Sequence, residues 1–304
     1  MTIIDRLAGA SRIGLGLAAV GRPGYINLGR AADLPAERTV EALRARAWQL
    51  LDQAYAAGIR YFDVARSYGR AEEFLAHWLL ARPEIDDVVV GSKWGYTYTA
   101  GWRVEAEVHE VKDHSVASFD RQYGETRALL GDRLDLYQVH SVTPDSPALR
   151  DGDLHRRLAG LAEQGVLVGL STSGPSQAEV IRSALSVEVG GRPVFRSVQA
   201  TWNLLEPSAG PALADAHAAG CFVIVKEALA NGRLAVWEGV GDAVALAAAL
   251  QRPWASIVLS GAVTGDQLNS NLRAEKLTVD AARWAGLAMP AAWYWQERSQ
   301  LPWM

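Results

Sequence analysis

The feature that most constrains this chain is a set of eight short apolar runs, spread over residues 12–262 and separated by segments that read as helices. They are RIGLGLA (12–18), RYFDV (60–64), DVVVGSKW (87–94), LDLYQVHS (134–141), LVGLSTS (167–173), SVQATWNLL (197–205), CFVIVKEAL (221–229) and ASIVLSGA (255–262). Each is close to continuous in Val, Ile and Leu. A strand with one wet face would alternate, so these runs predict strands buried on both faces, as in a parallel sheet. Eight of them, with helices between and no Pro/Gly/Ser-rich linker, predict an α/β chain folded as one (β/α)8 barrel over residues 1–304. The competing arrangement is an open, doubly wound sheet. It needs a glycine-rich turn leading from the first strand into a helix, and GLGLAAVG has the glycines without a well-formed helix after them.

Helix ends support the alternation. Leu43, Ala47, Leu50, Leu51 and Ala54 recur at helical spacing, and Gly58 stands where a left-handed residue closes a helix. Val116, Phe119, Tyr123, Thr126 and Leu130 form a similar face ended by Gly131. The helix carrying Phe74, Leu75, Trp78 and Leu79 must stop before Pro83, because a residue ahead of proline is pushed out of helical geometry. Weaker helical patterns fill 150–164, 176–185, 207–219 and 265–275.

Composition narrows the classes of partner. The 304 residues are 49% apolar, enough for a large core, and carry a formal charge of -4 with scattered basic residues, which argues against a nucleic-acid partner. The single cysteine, Cys221, excludes an intrachain disulfide and a cysteine-rich metal site, and reads as a small buried apolar residue. Charges interrupt the N-terminal segment at Asp5, Arg6 and Arg12, and no run of about 18 apolar residues occurs, so a cytoplasmic protein without a membrane partner is expected.

In such a barrel the chemistry sits at the C-terminal strand ends. The polar residues there are Asp63, Lys93, His140, Ser171, Thr172, Gln199, Asn203, Lys226, Glu227 and Ser260, with Tyr68 in the loop after the second strand. Four of them make one device. A phenol with an ordinary pKa of about 10 holds its proton at neutral pH, and an ammonium about 4 Å away would make it a stronger acid. Lys93 is the candidate ammonium for Tyr68, Asp63 its holding carboxylate, and His140 a donor that orients a substrate oxygen. Taken singly, Tyr68 also reads as a packing aromatic, Asp63 as a loop cap, Lys93 as a solvated cation and His140 as a structural strand histidine. Their coincidence at one predicted mouth favours chemistry. His77, His109, His114, His155 and His217 lack partner spacing and read as packing or surface residues. H-E-x-x-H, cysteine ligand clusters and G-x-S-x-G do not occur, so neither a zinc protease nor a serine hydrolase is supported.

At these residues the chain resembles the aldo-keto reductases. The matching stretches are GIRYFDVARSYGRAEEFL (58–75), GSKWGY (91–96), LDLYQVHS (134–141), VGLSTS (168–173), VQATWNLLEP (198–207) and GAVTGDQLNSNLRA (261–274), in family order. The resemblance implies a (β/α)8 barrel and a carbonyl reductase or alcohol dehydrogenase using NADP(H) or NAD(H). It implies Asp63, Tyr68, Lys93 and His140 as the catalytic tetrad, with Tyr68 as proton donor to the carbonyl oxygen. It places Ser171, Thr172 and Gln199 at the nicotinamide carboxamide, and Leu229, Ser260, Gly261, Gln267 and Asn271 at the pyrophosphate and adenosine; Lys226 is a further cofactor candidate.

Three departures from the family pattern stand out. Lys226-Glu227-Ala228-Leu229 replaces a Tyr-Ser-Pro-Leu segment whose aromatic stacks on the nicotinamide, so Glu227 is expected to turn away or to pair with a cation. The basic pair that grips a 2′-phosphate is missing around Thr264 and Gln267, leaving NADP against NAD open. The N-terminal segment is too short for the usual β-hairpin, which leaves the barrel floor to be closed another way. The long loop at 20–39 is expected to overhang the mouth, with Tyr25 and Trp94 as candidate contacts to a small carbonyl or alcohol substrate. The tail with Trp284, Trp293, Trp295 and Trp303 is expected to pack on the barrel or on another subunit. Two rival functions remain at this point: a non-catalytic nicotinamide-binding redox sensor, and a Schiff-base lyase using Lys93.

Overall fold

The computed structural model describes residues 2–26, 28 and 30–304. Its barrel strands are β1 (Ile13–Gly16), β2 (Tyr61–Asp63), β3 (Val89–Trp94), β4 (Leu136–Val142), β5 (Leu167–Thr172), β6 (Ser197–Thr201), β7 (Phe222–Lys226) and β8 (Ile257–Ser260). They close in sequence order, with β8 beside β1, and every neighbouring pair is parallel. Each of the eight apolar runs supplies one strand. The open-sheet alternative is thereby excluded, since a closed barrel has no sheet edge.

The floor is closed by a helix. α1 (Ile3–Arg6) is started by Thr2 and Asp5, which cap each other's backbone N–H groups. Ile3 and Leu7 pack against an inner cluster of Tyr61, Val89, Leu136, Phe222, Ile224 and Ile257. Arg6 anchors the plug to the strand bottoms, donating to the Asp135 carboxylate and to the Val88 carbonyl. A short amphipathic turn thus does the work of a hairpin.

The outer ring begins with α2 (Val40–Ala56), which buries Leu43, Ala47, Leu50, Leu51 and Ala54 as the spacing predicts. α3 (Ala71–Leu80) buries Phe74, Leu75, Trp78 and Leu79, and α4 (Val116–Leu130) buries Phe119, Thr126 and Leu130. Gly58 and Gly131 both take positive φ, at +92° and +53°. The ring continues with α5 (Gly152–Glu163), α6 (Gln177–Leu185), α7 (Gly210–Ala218), α8 (Gly241–Leu250) and α9 (Gly265–Leu272), and α10 (Ala291–Ser299) belongs to the tail. Of these, α8 has no counterpart in the periodicity. Its sequence, GDAVALAAAL, is apolar on every side and buried from Ala245 to Leu250, so no stripe marks an inner face. Among the described residues no helix is long and apolar enough to cross a membrane.

Candidate active site

The inner face of β2 starts the site. Residues two apart on a strand share a face, so Tyr61 and Asp63 both point inward. Gly14 and Gly91 make room for Tyr61: a Cβ on either would lie 2.8 Å from its ring or 2.4 Å from its hydroxyl. That hydroxyl donates to Asp63 Oδ2 at 3.4 Å, and Gln199 Nε2 donates to the same oxygen at 2.9 Å. Lys93 Nζ donates to Asp63 Oδ1 and, at 3.0 Å, to the Val64 carbonyl. The ion pair is buried.

Tyr68 lies in the loop between β2 and α3, where two glycines let backbones touch. A Cβ at Gly69, with φ of +61°, would fall 2.5 Å from the Gly21 carbonyl, and one at Gly21 would fall 2.4 Å from the Tyr68 carbonyl. Arg70 N donates to the Gly21 carbonyl at 2.8 Å, stitching the first loop to the Tyr68 loop. This packing sets the ring with Lys93 Nζ 4.9 Å from its centre, the Arg22 guanidinium at 5.7 Å and the His140 ring edge-on at 5.4 Å.

His140 stands beside a register shift between Val139 and Val142, where Ser141 takes φ of +53°. A bulge of this kind re-aims the neighbouring side chain. Ser171 Oγ holds it by accepting from Ser141 N at 2.8 Å. His114 holds it from the other side, its Nε2 donating to the His140 carbonyl at 2.8 Å while Nδ1 sits 2.6 Å from Ser146 Oγ. Gly95, with φ of +107°, leaves the space that the His114 ring fills. His114 is therefore a support for the mouth, a role with no signature in its sequence neighbourhood.

Glu72, in the GIRYFDVARSYGRAEEFL stretch four residues after Tyr68, also acts from behind. Its carboxylate is buried and accepts from Ser92 Oγ at 2.5 Å, from Thr126 Oγ1 at 2.9 Å and from the Arg66 guanidinium. It therefore ties α3 to α4 and to the residue preceding Lys93.

The electrostatics correct one expectation. The Tyr68 hydroxyl lies well above the ordinary phenol value, because burial and then the Asp63 carboxylate disfavour the phenolate, while Arg22 works the other way. The Lys93 ammonium is held by Asp63, so the expected acidification of the phenol is not present in the free protein. His140 lies well below its ordinary value, through burial and then the Lys93, Lys226 and Arg22 charges. Its imidazole is neutral at physiological pH, with one N–H to donate.

A cavity of about 300 Å³ opens beside Asp63 and Tyr68 and is lined from these and Gln199 past Lys226 and Leu229 to Ser260, Gly261, Gln267 and Asn271. Tyr25 lines it as well, edge-on to Tyr68 with 6.4 Å between ring centres. Five other candidates are not on this wall: Lys93 is fully buried against Asp63, His140 is 8% exposed beside Tyr68, and Ser171, Thr172 and Trp94 are engaged elsewhere. Ser171 and Thr172 are fully buried, Ser171 occupied by Ser141 and Thr172 Oγ1 by Gln177 Oε1 at 3.3 Å. Trp94 follows Lys93 on β3 and so faces the opposite side, packed edge-on against Phe119 and His114.

The KEAL segment resolves as a charge cluster. Glu227, at φ of +55°, accepts from Arg298 Nε of α10 at 3.0 and 2.9 Å, and from Thr201 Oγ1 at 3.2 Å. Burial alone would raise this carboxyl, but Arg298 and Lys226 overcome it and hold it down at about 2. Lys226 Nζ donates to Thr201 Oγ1 at 2.8 Å, and burial lowers it to about 8. Of the two outcomes open to Glu227, it pairs with a cation. Within the tail, Trp295 lies against Lys226 and Arg298, whereas Trp303 stacks on His109 with ring centres 4.1 Å apart. Met304 and Tyr25 exchange backbone hydrogen bonds at 3.1 Å, so the tail packs on the rim of its own barrel.

A closed parallel barrel with a carboxylate, ammonium, phenol and imidazole gathered at its C-terminal mouth defines a barrel enzyme. The model of the Aldo/keto reductase family matches residues 12–242, and the chain belongs to that family. It is 29% identical over 134 residues to aldo-keto reductase str7 of Strobilurus tenacellus, covering 44% of this chain and 33% of the relative. It is 29% identical over 172 residues to pyridoxal 4-dehydrogenase of Microbacterium luteolum, covering 47% and 49%. These matches span half or less of the curated relatives. In fold it is similar to the holo form of an aldo-keto reductase from Bacillus halodurans, with a TM-score of 0.66 and 22% identity over 95% of this chain and 92% of that one.

Proposed function

We propose that the protein is an NAD(P)(H)-dependent oxidoreductase that interconverts a small aldehyde, ketone or sugar carbonyl with its alcohol, with Tyr68 as general acid and base. The observation that carries this reading is the arrangement around Tyr68: a protonated phenol, a neutral imidazole edge-on to it and a buried Lys93–Asp63 pair beneath it, at one end of a long cavity. The residues fit a nicotinamide dinucleotide, since the cavity runs from the Tyr68 end to α9, offers the amides of Gln199, Gln267 and Asn271 and the Ser260 hydroxyl among apolar walls, and carries one lysine, Lys226, near the catalytic end. The bound cofactor supplies the hydride.

In reduction, Tyr68 donates its proton to the carbonyl oxygen and His140 donates a hydrogen bond to the same atom. Ser67 Oγ lies 3.4 Å from His140 Nδ1, and in the tautomer this step requires the hydroxyl donates there while the imidazole proton sits on Nε2. As the phenolate forms, the adjacent Lys93 and Arg22 charges stabilise it, so the cations act on the transition state. Gln199, its Nε2 committed to Asp63 and Gln138, offers its amide oxygen to the carboxamide end. The names of the similar proteins support the reaction class, one being a pyridoxal 4-dehydrogenase and another an aryl-alcohol dehydrogenase [NADP(+)] of Phanerodontia chrysosporium. Neither rival function is favoured: Lys93 is committed to Asp63 and Val64, and the KEAL segment is accounted for by Arg298.

The test is NAD(P)H consumption with a panel of simple aldehydes, comparing wild type with Tyr68→Phe. The variant should lose turnover by a factor of about 10² or more while retaining the fluorescence change on cofactor binding. Full activity in Tyr68→Phe would defeat the mechanism.

A further inference from the structure

The end of the cavity away from Tyr68 is built from two carboxylates, each held by an amide of the same helix. Gln267 and Asn271 lie four residues apart on α9 and so share a face. Gln267 Nε2 donates to Asp33 Oδ2 at 2.7 Å, while its oxygen accepts from Val263 N at 2.9 Å. The hydrogen bonds of Asn271 orient its amide with the oxygen accepting from Ser260 Oγ at 2.8 Å and the nitrogen donating to Asp242 Oδ2 at 3.0 Å. Asp33 comes from the first loop and Asp242 from the start of α8, where its Oδ1 also accepts from Ala243 N at 2.8 Å. Both carboxylates line the cavity.

Among the described residues that line the whole cavity, Lys226 is the single cation, and it lies by Glu227 near the catalytic end. Arg46 approaches the Asp33 wall without lining the cavity. Its Nη1 is engaged by the carbonyl oxygens of Asp33 at 3.1 Å and Val263 at 2.9 Å.

We infer that Asp33 and Asp242, presented by Gln267 and Asn271, make this site selective for NAD(H) over NADP(H). The inference rests on the nicotinamide reading above, which puts the adenosine ribose at this end. A ribose with free 2′- and 3′-hydroxyls donates hydrogen bonds to carboxylates, and such charge-assisted bonds are the strong ones. A 2′-phosphate carries close to two negative charges at neutral pH. It would meet two carboxylates, with no guanidinium or ammonium among the described residues that line this end, and like charges in a partly buried wall repel with little screening. The neutral amides at Gln267 and Asn271 serve as clamps on the carboxylates and have no charge to offer a phosphate.

The experiment is an equilibrium titration of the full chain with NADH and NADPH, followed by cofactor fluorescence, for wild type, Asp33→Asn, Asp242→Asn and the double variant. The expected result is NADH binding at least roughly tenfold tighter in wild type, a preference that narrows at high salt, and a double variant in which NADPH gains while NADH holds or weakens. Competition by adenosine 5′-diphosphate against its 2′-phosphorylated counterpart reads the same wall in wild type alone, and covers the case of variants that fail to fold. Equal or tighter binding of NADPH, or a ratio unmoved in a folded double variant, overturns the selectivity and leaves the oxidoreductase reading standing. Failure of both nucleotides to bind overturns both.

Discussion

Lys93 and Asp63 form an ion pair with side chains 0% and 3% exposed, and the ammonium lies 4.9 Å from the centre of the Tyr68 ring. Two charges taken out of water at one strand end are expensive unless each satisfies the other, so the pair behaves as a unit. Lys93→Met leaves Asp63 charged and unpaired apart from Gln199 and Tyr61. It should cost on the order of 3–5 kcal/mol of stability. Adding Asp63→Asn to that variant removes the stranded charge and should restore much of the melting temperature without restoring turnover. A chemical denaturation series on the two variants and wild type separates the outcomes; equal stability in all three would contradict the burial argument.

The phenol of Tyr68 makes a separate prediction. Because burial and Asp63 raise it well above the ordinary value, the free protein should show no phenolate from this residue through the alkaline range in which exposed tyrosines titrate. Subtracting the ultraviolet pH titration of Tyr68→Phe from that of wild type isolates the contribution. A difference signal appearing below about pH 9 would mean that the neighbouring cations dominate after all.

Much of this was legible in the sequence, for a physical reason. Strands buried on both faces must be continuous in apolar residues, so all eight announced themselves, and the strand-end position of Asp63, Lys93 and His140 followed from the barrel. What escaped has no local signature. α8 is apolar all round from Ala243 to Leu250 and carries no stripe. Arg22 is buried at the mouth by contacts to Ser67 and Glu110, 45 and 88 residues away. His114 works through a backbone carbonyl that only the fold brings near. Adjacency to Lys93 does not bring Trp94 to the mouth, because strand alternation sends neighbours to opposite faces. Ser171 and Thr172 sit at the right strand end, but their side chains are used inside the protein.

The Glu227–Arg298 pair ties the tail helix to the barrel and gives the fold an acid limit. The Glu227 carboxyl falls from 4.5 to about 2 on folding, because Arg298 and Lys226 outweigh its burial. A depressed carboxyl contributes stability above its unfolded value and loses it as pH falls through the folded one. The contribution, on the order of 3 kcal/mol, should be fully present above about pH 5 and vanish toward pH 2. Glu227→Gln should therefore melt lower than wild type at neutral pH, with the gap closing below about pH 4. A gap independent of pH would assign the effect to packing.

Lys226 predicts the opposite sign on the alkaline side, in binding. Burial lowers it to about 8, with Arg298 and Lys93 adding to the effect and Glu227 opposing it. It is the one lysine lining the cavity among the described residues, so on the proposed function it is the cation available to the phosphates of a bound dinucleotide. An anion binds the protonated form and raises its pKa, so protons are taken up on binding above neutrality. Affinity should fall as pH rises through about 8, approaching tenfold per pH unit once the lysine of the free protein is mostly neutral. Lys226→Met should bind more weakly at pH 7 and show a flat profile between about pH 7 and 9, and isothermal titration in buffers of different ionisation enthalpy should register the proton uptake in wild type alone. A wild-type profile as flat as that of the variant would remove Lys226 from the cofactor site and leave its bond to Thr201 as its whole role.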